Sequence, residues 1–283
     1  EAGTGQELKK EYAFLEVAPG TGVYTYAGDY NANGVKDLDE FEIAAFADQA
    51  NFVKVYLPTN EFVKTRTNQF SQVLTLNTGA YFQKQEGFQK FVARFSDQIS
   101  YRVDNKTLEK DLLKSLNPFN IDIDDDVLIT TNSAFRNTLS FNRSSTVFGM
   151  DVTWQDTRNK ALLTNGFESR QLQSFVSNAR WNITRVYSFN LSGENGTKSN
   201  SAEYSSTRDY NIIFNSFEPK FSVQPGISFR TTLIYKYTIK ENTLSEIKET
   251  TDQNNIGVEM KYSSVKRGIL TAKFNLIEIA YNA

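Results

Sequence analysis

The sequence predicts an all-β protein: an antiparallel up-and-down transmembrane β-barrel, or part of one, with a small N-terminal calcium-loop cap that contains a short helix. Three observations lead to this prediction. Long stretches alternate apolar and polar residues. The polar positions of these stretches repeatedly carry Arg, Lys, Asp and Gln, which suits a water-filled lumen. Residues 29–40 have the spacing of a calcium-binding loop.

Composition excludes several classes of function. The chain has 283 residues with 31 basic and 33 acidic side chains, so its charge indicates no nucleic-acid partner. It contains no Cys, which excludes disulfides and thiol chemistry, and no His, which excludes a Ser-His-Asp triad and the usual zinc ligands. No pair of carboxylates is singled out as an acid–base pair for hydrolysis. We therefore expect a protein that is not an enzyme.

The calcium motif runs from Asp29 to Glu40. Side-chain oxygens occupy loop positions 1, 3, 5, 9 and 12, on Asp29, Asn31, Asn33, Asp37 and Glu40 respectively. Gly34 falls at position 6, where the backbone turns sharply, and Val35 falls at position 7, which supplies a backbone carbonyl. We predict a structural Ca²⁺ site of modest affinity, because two of its ligands are Asn rather than Asp. The alternative interpretation is an Asx/Gly turn that binds no metal.

The flanks of this motif predict the rest of the cap. Residues 20–26 are rich in glycine and β-forming residues, so they indicate a strand or an extended arm. Residues 38–50 place Phe41, Ala44 and Ala45 at helical spacing, which predicts a short helix. Residues 51–57 predict a short strand that Pro58 ends. Residues 1–60 are accordingly predicted to form an extramembrane cap or loop insert.

Residues 61–283 are predicted to form the antiparallel barrel strands. Alternation predicts strands at 62–77, 89–103, 134–143, 147–155, 175–183, 187–191, 209–217, 229–240, 256–263 and 269–281. Tight turns are predicted around Arg185 and at 264–268, whereas the polar run 194–207 predicts a long loop. Helical spacing at 105–120, followed by acidic residues, predicts a helical and acidic loop at 105–130.

Two β architectures produce strands with one apolar face. A soluble sandwich buries that face against a second sheet, whereas a membrane barrel turns it towards lipid. Strand length distinguishes them, because sandwich strands average about five or six residues and tilted membrane strands need roughly nine to eleven. The predicted strands at 229–240 and 269–281 are long. The sequence therefore favours the barrel.

Several phrases of the sequence also resemble a known family. They are GTGVYTYAGDYNANGVKDLDEFEIAAFADQANFVKVYLPTNEFV, LLTNGFESRQLQ, RWNITR, FEPKFSVQPGISFRTTLIYKY and NLIEIAYNA. Together they are similar to the C-terminal region of large outer-membrane, cell-surface proteins of Bacteroidota, whose function is poorly characterised. The resemblance implies an outer-membrane location and a barrel whose acidic loop lies outside the bilayer. It also implies that further strands follow those seen here.

These observations lead to one functional hypothesis and one alternative. The first is a non-enzymatic outer-membrane β-barrel segment that acts as a conduit or scaffold in transport, protein export or envelope assembly. Its expected location is the bacterial outer membrane or cell surface. Its expected partners are outer-membrane lipid and other envelope proteins, with no nucleic acid. The alternative is a soluble extracellular β-sandwich module that binds glycan or protein and whose loop is braced by calcium.

Overall fold

The computed structural model describes residues 1–82, 86–108, 123–203, 208–244, 249–264 and 268–282, and these form one antiparallel sheet of 13 strands. The strands are β1 (Ala2–Glu16), β2 (Tyr24–Tyr26), β3 (Phe41–Ile43), β4 (Phe52–Asn77), β5 (Phe95–Leu108), β6 (Leu128–Phe141), β7 (Phe148–Leu163), β8 (Gly166–Asn182), β9 (Tyr187–Ala202), β10 (Tyr210–Val223), β11 (Phe229–Asn242), β12 (Glu249–Ser264) and β13 (Gly268–Asn282). Two short helices, α1 (Gly79–Phe82) and α2 (Phe88–Val92), lie between β4 and β5.

The topology is up-and-down. From β4 to β13 every strand pairs with the next strand in the chain, and β1 pairs with the other edge of β4. Within the described ranges, β13 pairs with β12 alone, so the sheet is open. The predictions of an all-β fold and of antiparallel up-and-down strands are therefore confirmed, whereas the sheet does not close into a barrel.

Except for β5, which has 14 residues against the 15 of the predicted strand 89–103, the long strands exceed their predicted lengths. Strands β5 to β13 each contain 14 to 17 residues, and β4 contains 26. The predicted loop at 194–207 is wrong for its first part, because β9 continues to Ala202 and pairs with β8 on one side and β10 on the other. Two neighbouring strands satisfy the backbone of a segment whatever the polarity of its side chains.

The prediction that Pro58 ends a strand is also wrong, since β4 runs through it. Pro58 is opposite Lys10 of β1, and the β1–β4 register shifts between Leu8 and Lys10. This irregularity accommodates a residue that cannot donate a backbone hydrogen bond. Moreover, β5 pairs only with residues 65–77 of β4, so Pro58 needs no partner on that side.

The helix predicted at 38–50 is replaced by two 3₁₀ turns, Leu38–Glu40 and Ala47–Gln49, on either side of β3. The reason is tertiary: the ring of Phe41 stacks on Phe14 of β1 with 4.1 Å between centroids. The strand predicted to begin at residue 89 instead begins at Phe95, after α2.

The helical and acidic loop predicted at 105–130 lies only partly within the described residues, and there both of its ends are strand. Residues 105–108 belong to β5 and Leu128 begins β6, whereas residues 109–122 lie outside the described residues. The described helices are short, and none is long and apolar enough to span a membrane.

The described residues have an unusual distribution of polarity. Fifteen of the buried residues are polar or charged, and only six are hydrophobic. Large apolar side chains are exposed along the strands, including Trp154 at 46%, Leu233 at 52% and Phe274 at 73%. All strands in the described ranges belong to one sheet, so no second sheet formed by these residues covers it. Few apolar side chains of its long strands are therefore buried, among them Val103, Leu128 and Phe167.

The predicted cap of residues 1–60 is smaller in the structure, because residues 2–16 and 52–60 belong to the sheet as β1 and the start of β4. Residues 17–51, called the cap from here on, have a small aromatic core at their base. The rings of Tyr24, Tyr26 and Phe41 pack there against Phe14 of β1 and Phe52 of β4. The hairpin of β1 and β4 that carries the cap reaches the turn between β7 and β8, where the amide of Tyr56 donates to the carbonyl of Thr164 at 2.6 Å.

Gly22 is required where the cap meets β4. A Cβ atom at this position would lie 2.6 Å from the carbonyl oxygen of Phe52 and 2.8 Å from that of Ala50. These are backbone atoms, and the amide of Gly22 also donates to the carbonyl of Ala50 at 2.8 Å.

We therefore expect Gly22→Ala to destabilise the cap by about 1–3 kcal/mol through overpacking. Hydrogen exchange of the backbone amides of residues 17–51 would measure the loss. Gly3→Ala is the matched control, because a Cβ atom there would have nothing within 4 Å. Equal amide protection in the two variants would contradict the tight contact.

Candidate functional site

The predicted calcium loop connects two paired strands. Strands β2 and β3 form a short hairpin with Tyr26 opposite Phe41, and residues 27–40 form the loop between them. The amide of Ala27 donates to the carbonyl of Glu40 at 2.8 Å, which closes the base of the loop. The loop is thus held at both ends by backbone pairing and lies directly above the aromatic core of the cap.

The structure brings together four of the five predicted side-chain ligands, on Asp29, Asn31, Asn33 and Asp37. The side-chain amides of Asn31 and Asn33 both donate to Oδ2 of Asp37, at 2.7 and 2.8 Å. The amide of Asn33 donates to Oδ1 of Asp29 and to Oδ1 of Asn31, at 3.2 and 3.0 Å. Gly34 adopts φ of 76°, as predicted for the sharp turn, and its amide donates to Oδ2 of Asp29 at 2.7 Å.

Glu40 has a distinct environment, because it is 1% exposed. Its carboxylate accepts hydrogen bonds from the amides of Tyr30 and Asp37, both at 2.9 Å, and from the hydroxyl of Tyr26 at 3.2 Å. With Asp37 it forms a capping box for the 3₁₀ turn Leu38–Glu40. The Asp-x-x-Glu spacing could have predicted this structural role, which our sequence interpretation missed.

Negative charge accumulates beside Tyr26. Burial raises the pKa of the Tyr26 hydroxyl above its usual value of 10.0, and the nearby carboxylates of Glu40, Asp29 and Asp37 raise it further. Lys36 is the nearby cation: its ammonium group lies 5.3 Å from the centre of the Tyr26 ring and 3.8 Å from Oε2 of Glu16.

The chemistry of this loop fits a hard cation. Four side chains that carry carboxylate or amide oxygens lie within hydrogen-bonding distance of one another or of the loop backbone. Val35 leaves its side chain 58% exposed, as a position that needs only its carbonyl allows. Across the described ranges, no three Asp, Glu, His or Cys side chains converge closely enough to hold a metal by themselves. A calcium site here therefore depends on Asn31, Asn33 and a backbone carbonyl in addition to the acids.

The second candidate site is the concave face of the sheet. Side chains from six neighbouring strands, β5 to β10, line one cavity of about 900 Å³. The polar lining residues are Gln98, Ser100, Arg136, Thr138, Ser140, Arg143, Asp151, Thr153, Asn178, Arg180, Asn190, Ser192, Glu218 and Lys220. Within each strand these residues are mostly spaced by two, so one face of every strand points into the cavity.

The opposite face is convex and carries an apolar band. Trp154 is opposite Phe175, and six residues further along β8 Trp181 is opposite Phe148. The band ends next to Trp154, where Asp156 accepts hydrogen bonds from Arg158 at 2.8 Å and from two glutamines of β8. Among the described residues of the band, one acidic side chain also lies on this face: Asp97, whose carboxylate accepts a hydrogen bond from the side-chain amide of Asn137 at 2.8 Å.

Comparison with known proteins adds no assignment, because no family model, curated protein or solved structure matches the chain.

The geometry of Glu40 leads to a prediction that does not depend on metal. Replacing Glu40 by Gln leaves buried donors without their charged acceptor, so we expect a loss of about 1–3 kcal/mol in the stability of the cap. Chemical denaturation in metal-free buffer, followed by hydrogen exchange of residues 17–51, would measure it. Glu42→Gln on β3 is the control, because Glu42 is exposed. A cap as stable in Glu40→Gln as in the control would contradict the burial of this carboxylate.

Proposed function

We propose that this chain forms part of the wall of an outer-membrane β-barrel, where it acts as a conduit or scaffold rather than as an enzyme. Lipid is its principal partner, and a structural Ca²⁺ ion braces its cap. The observation that carries the proposal is the exposed apolar band on the convex face of an unlayered sheet of long strands. Burying apolar surface contributes about 25 cal/mol per Å², so such a band in water is strongly disfavoured.

Lipid is the solvent that suits this band. A soluble sandwich would need a second sheet against the apolar face, and the described residues form one sheet only. From Phe175 to Trp181 the band extends about 20 Å along β8, at roughly 3.3 Å per residue. Its two edges carry the two tryptophans of the chain, and membrane barrels place aromatic girdles at both interfaces.

The two ends of the sheet support an orientation. At one end the connections 142–147, 183–186 and 224–228 are short turns, and the connection 78–94 contains α1 and α2. Among the described connections, the opposite end has one short turn, 164–165, between β7 and β8. There the strands continue past the apolar band and carry the cap. Outer-membrane barrels have short periplasmic turns and larger extracellular elements. We therefore place the cap at the cell surface and the end with the three short turns in the periplasm.

The ion would be held by Asp29, Asn31, Asn33, Asp37, the carbonyl of Val35 and Glu40. Its chemical contribution would be to neutralise the carboxylates that surround Tyr26 and to cross-link the loop. Convergence of the first four side chains within hydrogen-bonding distance supports this assignment. Because Glu40 already bonds three donors within the protein, we assign it a structural role as well as a ligand role.

Tryptophan fluorescence tests the membrane assignment, because the chain has only Trp154 and Trp181. We expect lipids with brominated acyl chains to quench both single-tryptophan variants, Trp154→Phe and Trp181→Phe, by collision within the bilayer. In a background that lacks both tryptophans, Tyr30→Trp is the control: Tyr30 is 66% exposed in the cap, so acrylamide in water should quench it and the brominated lipids should not. Native tryptophans unaffected by brominated lipid, in a monomer stable without detergent, would refute the proposal.

Calcium should lower the pKa of Tyr26. The pKa of Tyr26 is higher in the folded state than its usual value of 10.0. The neutral hydroxyl therefore stabilises the fold below pH 10.0, and this stabilisation is lost as the pH rises through the pKa of the folded state. An ion that neutralises Glu40, Asp29 and Asp37 removes part of the rise, whereas burial remains. Ultraviolet difference titration of tyrosinate, with calcium and with chelator, would measure the shift against Tyr26→Phe. An identical Tyr26 titration in both buffers would count against the calcium site.

A further inference from the structure

The concave face carries an excess of positive charge at its periplasmic end. The cavity of about 900 Å³ is lined by four basic residues and two acidic ones, Asp151 and Glu218. A neighbouring cavity of about 580 Å³ shares Arg143 and adds Lys90 and Arg94, with no acidic lining residue. The whole chain, by contrast, has a formal net charge of −2.

Most of this charge is not neutralised by neighbouring carboxylates. Lys220 forms an ion pair with Glu218. Arg180 donates from Nη2 to the carbonyl of Ser145 at 2.8 Å, which leaves its positive charge uncompensated. Among the residues that the structure describes, Arg136 and Arg143 have no ion pair with a carboxylate.

Register places the basic residues around one part of the cavity. Asn190 of β9 is opposite Arg180 of β8 and Lys220 of β10, so the Cα atoms of these two basic residues lie two strand spacings, about 10 Å, apart. Gly149 is opposite Arg180 on the other side, and a Cβ atom there would lie 3.5 Å from Nη2 of Arg180. The guanidinium group therefore extends over Gly149, towards Ser145 in the turn 142–147 that also contains Arg143.

We infer that the concave face is an anion-binding surface for solutes that carry carboxylate or phosphate groups. Guanidinium groups form planar, bidentate hydrogen bonds with both types of oxyanion. A concave surface with charge of one sign raises the local concentration of the opposite ion. This inference rests on the proposed function, in which the concave face is a water-filled lumen.

The reactivity of an introduced cysteine can measure the electrostatic potential of this surface. The chain has no cysteine of its own, so the introduced thiol is the only one that reacts. Asn190→Cys would place the single thiol between Arg180 and Lys220, and Asn165→Cys would place it in the exposed β7–β8 turn as a reference. Each protein is reacted, in detergent, with a sulfonate-bearing and a trimethylammonium-bearing methanethiosulfonate. We expect the ratio of the anionic to the cationic rate constant to be about tenfold higher at position 190 than at 165.

Charge removal provides the matched control. In the Asn190→Cys protein, Arg180→Gln should lower the ratio severalfold. Arg158→Gln removes the same charge from the convex face and should leave the ratio unchanged. Ser100→Cys, opposite Arg136, repeats the measurement should Asn190→Cys fail to fold. Equal ratios at the cavity and reference positions, or a preference for the cationic reagent, would overturn the inference.

Two soluble anions distinguish the ligand classes. Protection of the thiol at position 190 by inorganic pyrophosphate but not by citrate would assign phosphate, and the reverse result would assign carboxylate. Protection by neither anion would overturn the binding surface. The tryptophan measurement separates this failure from failure of the membrane assignment: quenched tryptophans with an unbiased ratio contradict only the anion inference, and a biased ratio with unquenched tryptophans contradicts only the membrane assignment.

Discussion

Strand register from β4 to β13 assigns every side chain in this sheet to one of two faces. Because side chains alternate with a period of two, a slip of one residue between neighbours would exchange the polar and apolar faces. The register observed here places Trp154 opposite Phe175 on the convex face, and Ser140 opposite Asp151 on the concave face. The apolar band, the polar cavity and the positive charge at the end of the sheet that carries the turns 142–147 and 183–186 all depend on this pairing.

The cap follows a different principle. Its core is a cluster of aromatic rings, in which Phe14 of β1 stacks on Phe41 of β3. Above this cluster, Glu40 is buried and accepts hydrogen bonds from the loop that it closes. The same segment thus combines a conventional interior with a group of carboxylates on its surface. Because this cap buries its aromatic rings within the protein, it can fold in water outside a bilayer. A bound cation would reduce the repulsion among its carboxylates.

The sequence predicted the alternating strands well, because alternation directly reflects which face of a paired strand meets which solvent. It predicted less well wherever a distant partner decides the local conformation. Phe41 at helical spacing suggested a helix, yet its contact with Phe14 draws it into β3. The polar run after Glu194 suggested a loop, yet β8 and β10 hold it as a strand. Pro58 suggested a strand end, yet the irregular β1–β4 pairing accommodates it.

The sequence by itself determined the fold class, the antiparallel order of long strands and the five side-chain positions of the calcium motif. These features follow from local spacing, which one chain segment carries without its neighbours. The tertiary structure decided that four of those side chains converge while Glu40 turns inward to Tyr26, Tyr30 and Asp37. It also decided that basic residues far apart in the chain, such as Arg136 and Lys220, line one cavity. Both arrangements depend on which strands pair and in which register, and the sequence of one segment does not specify its partner strand.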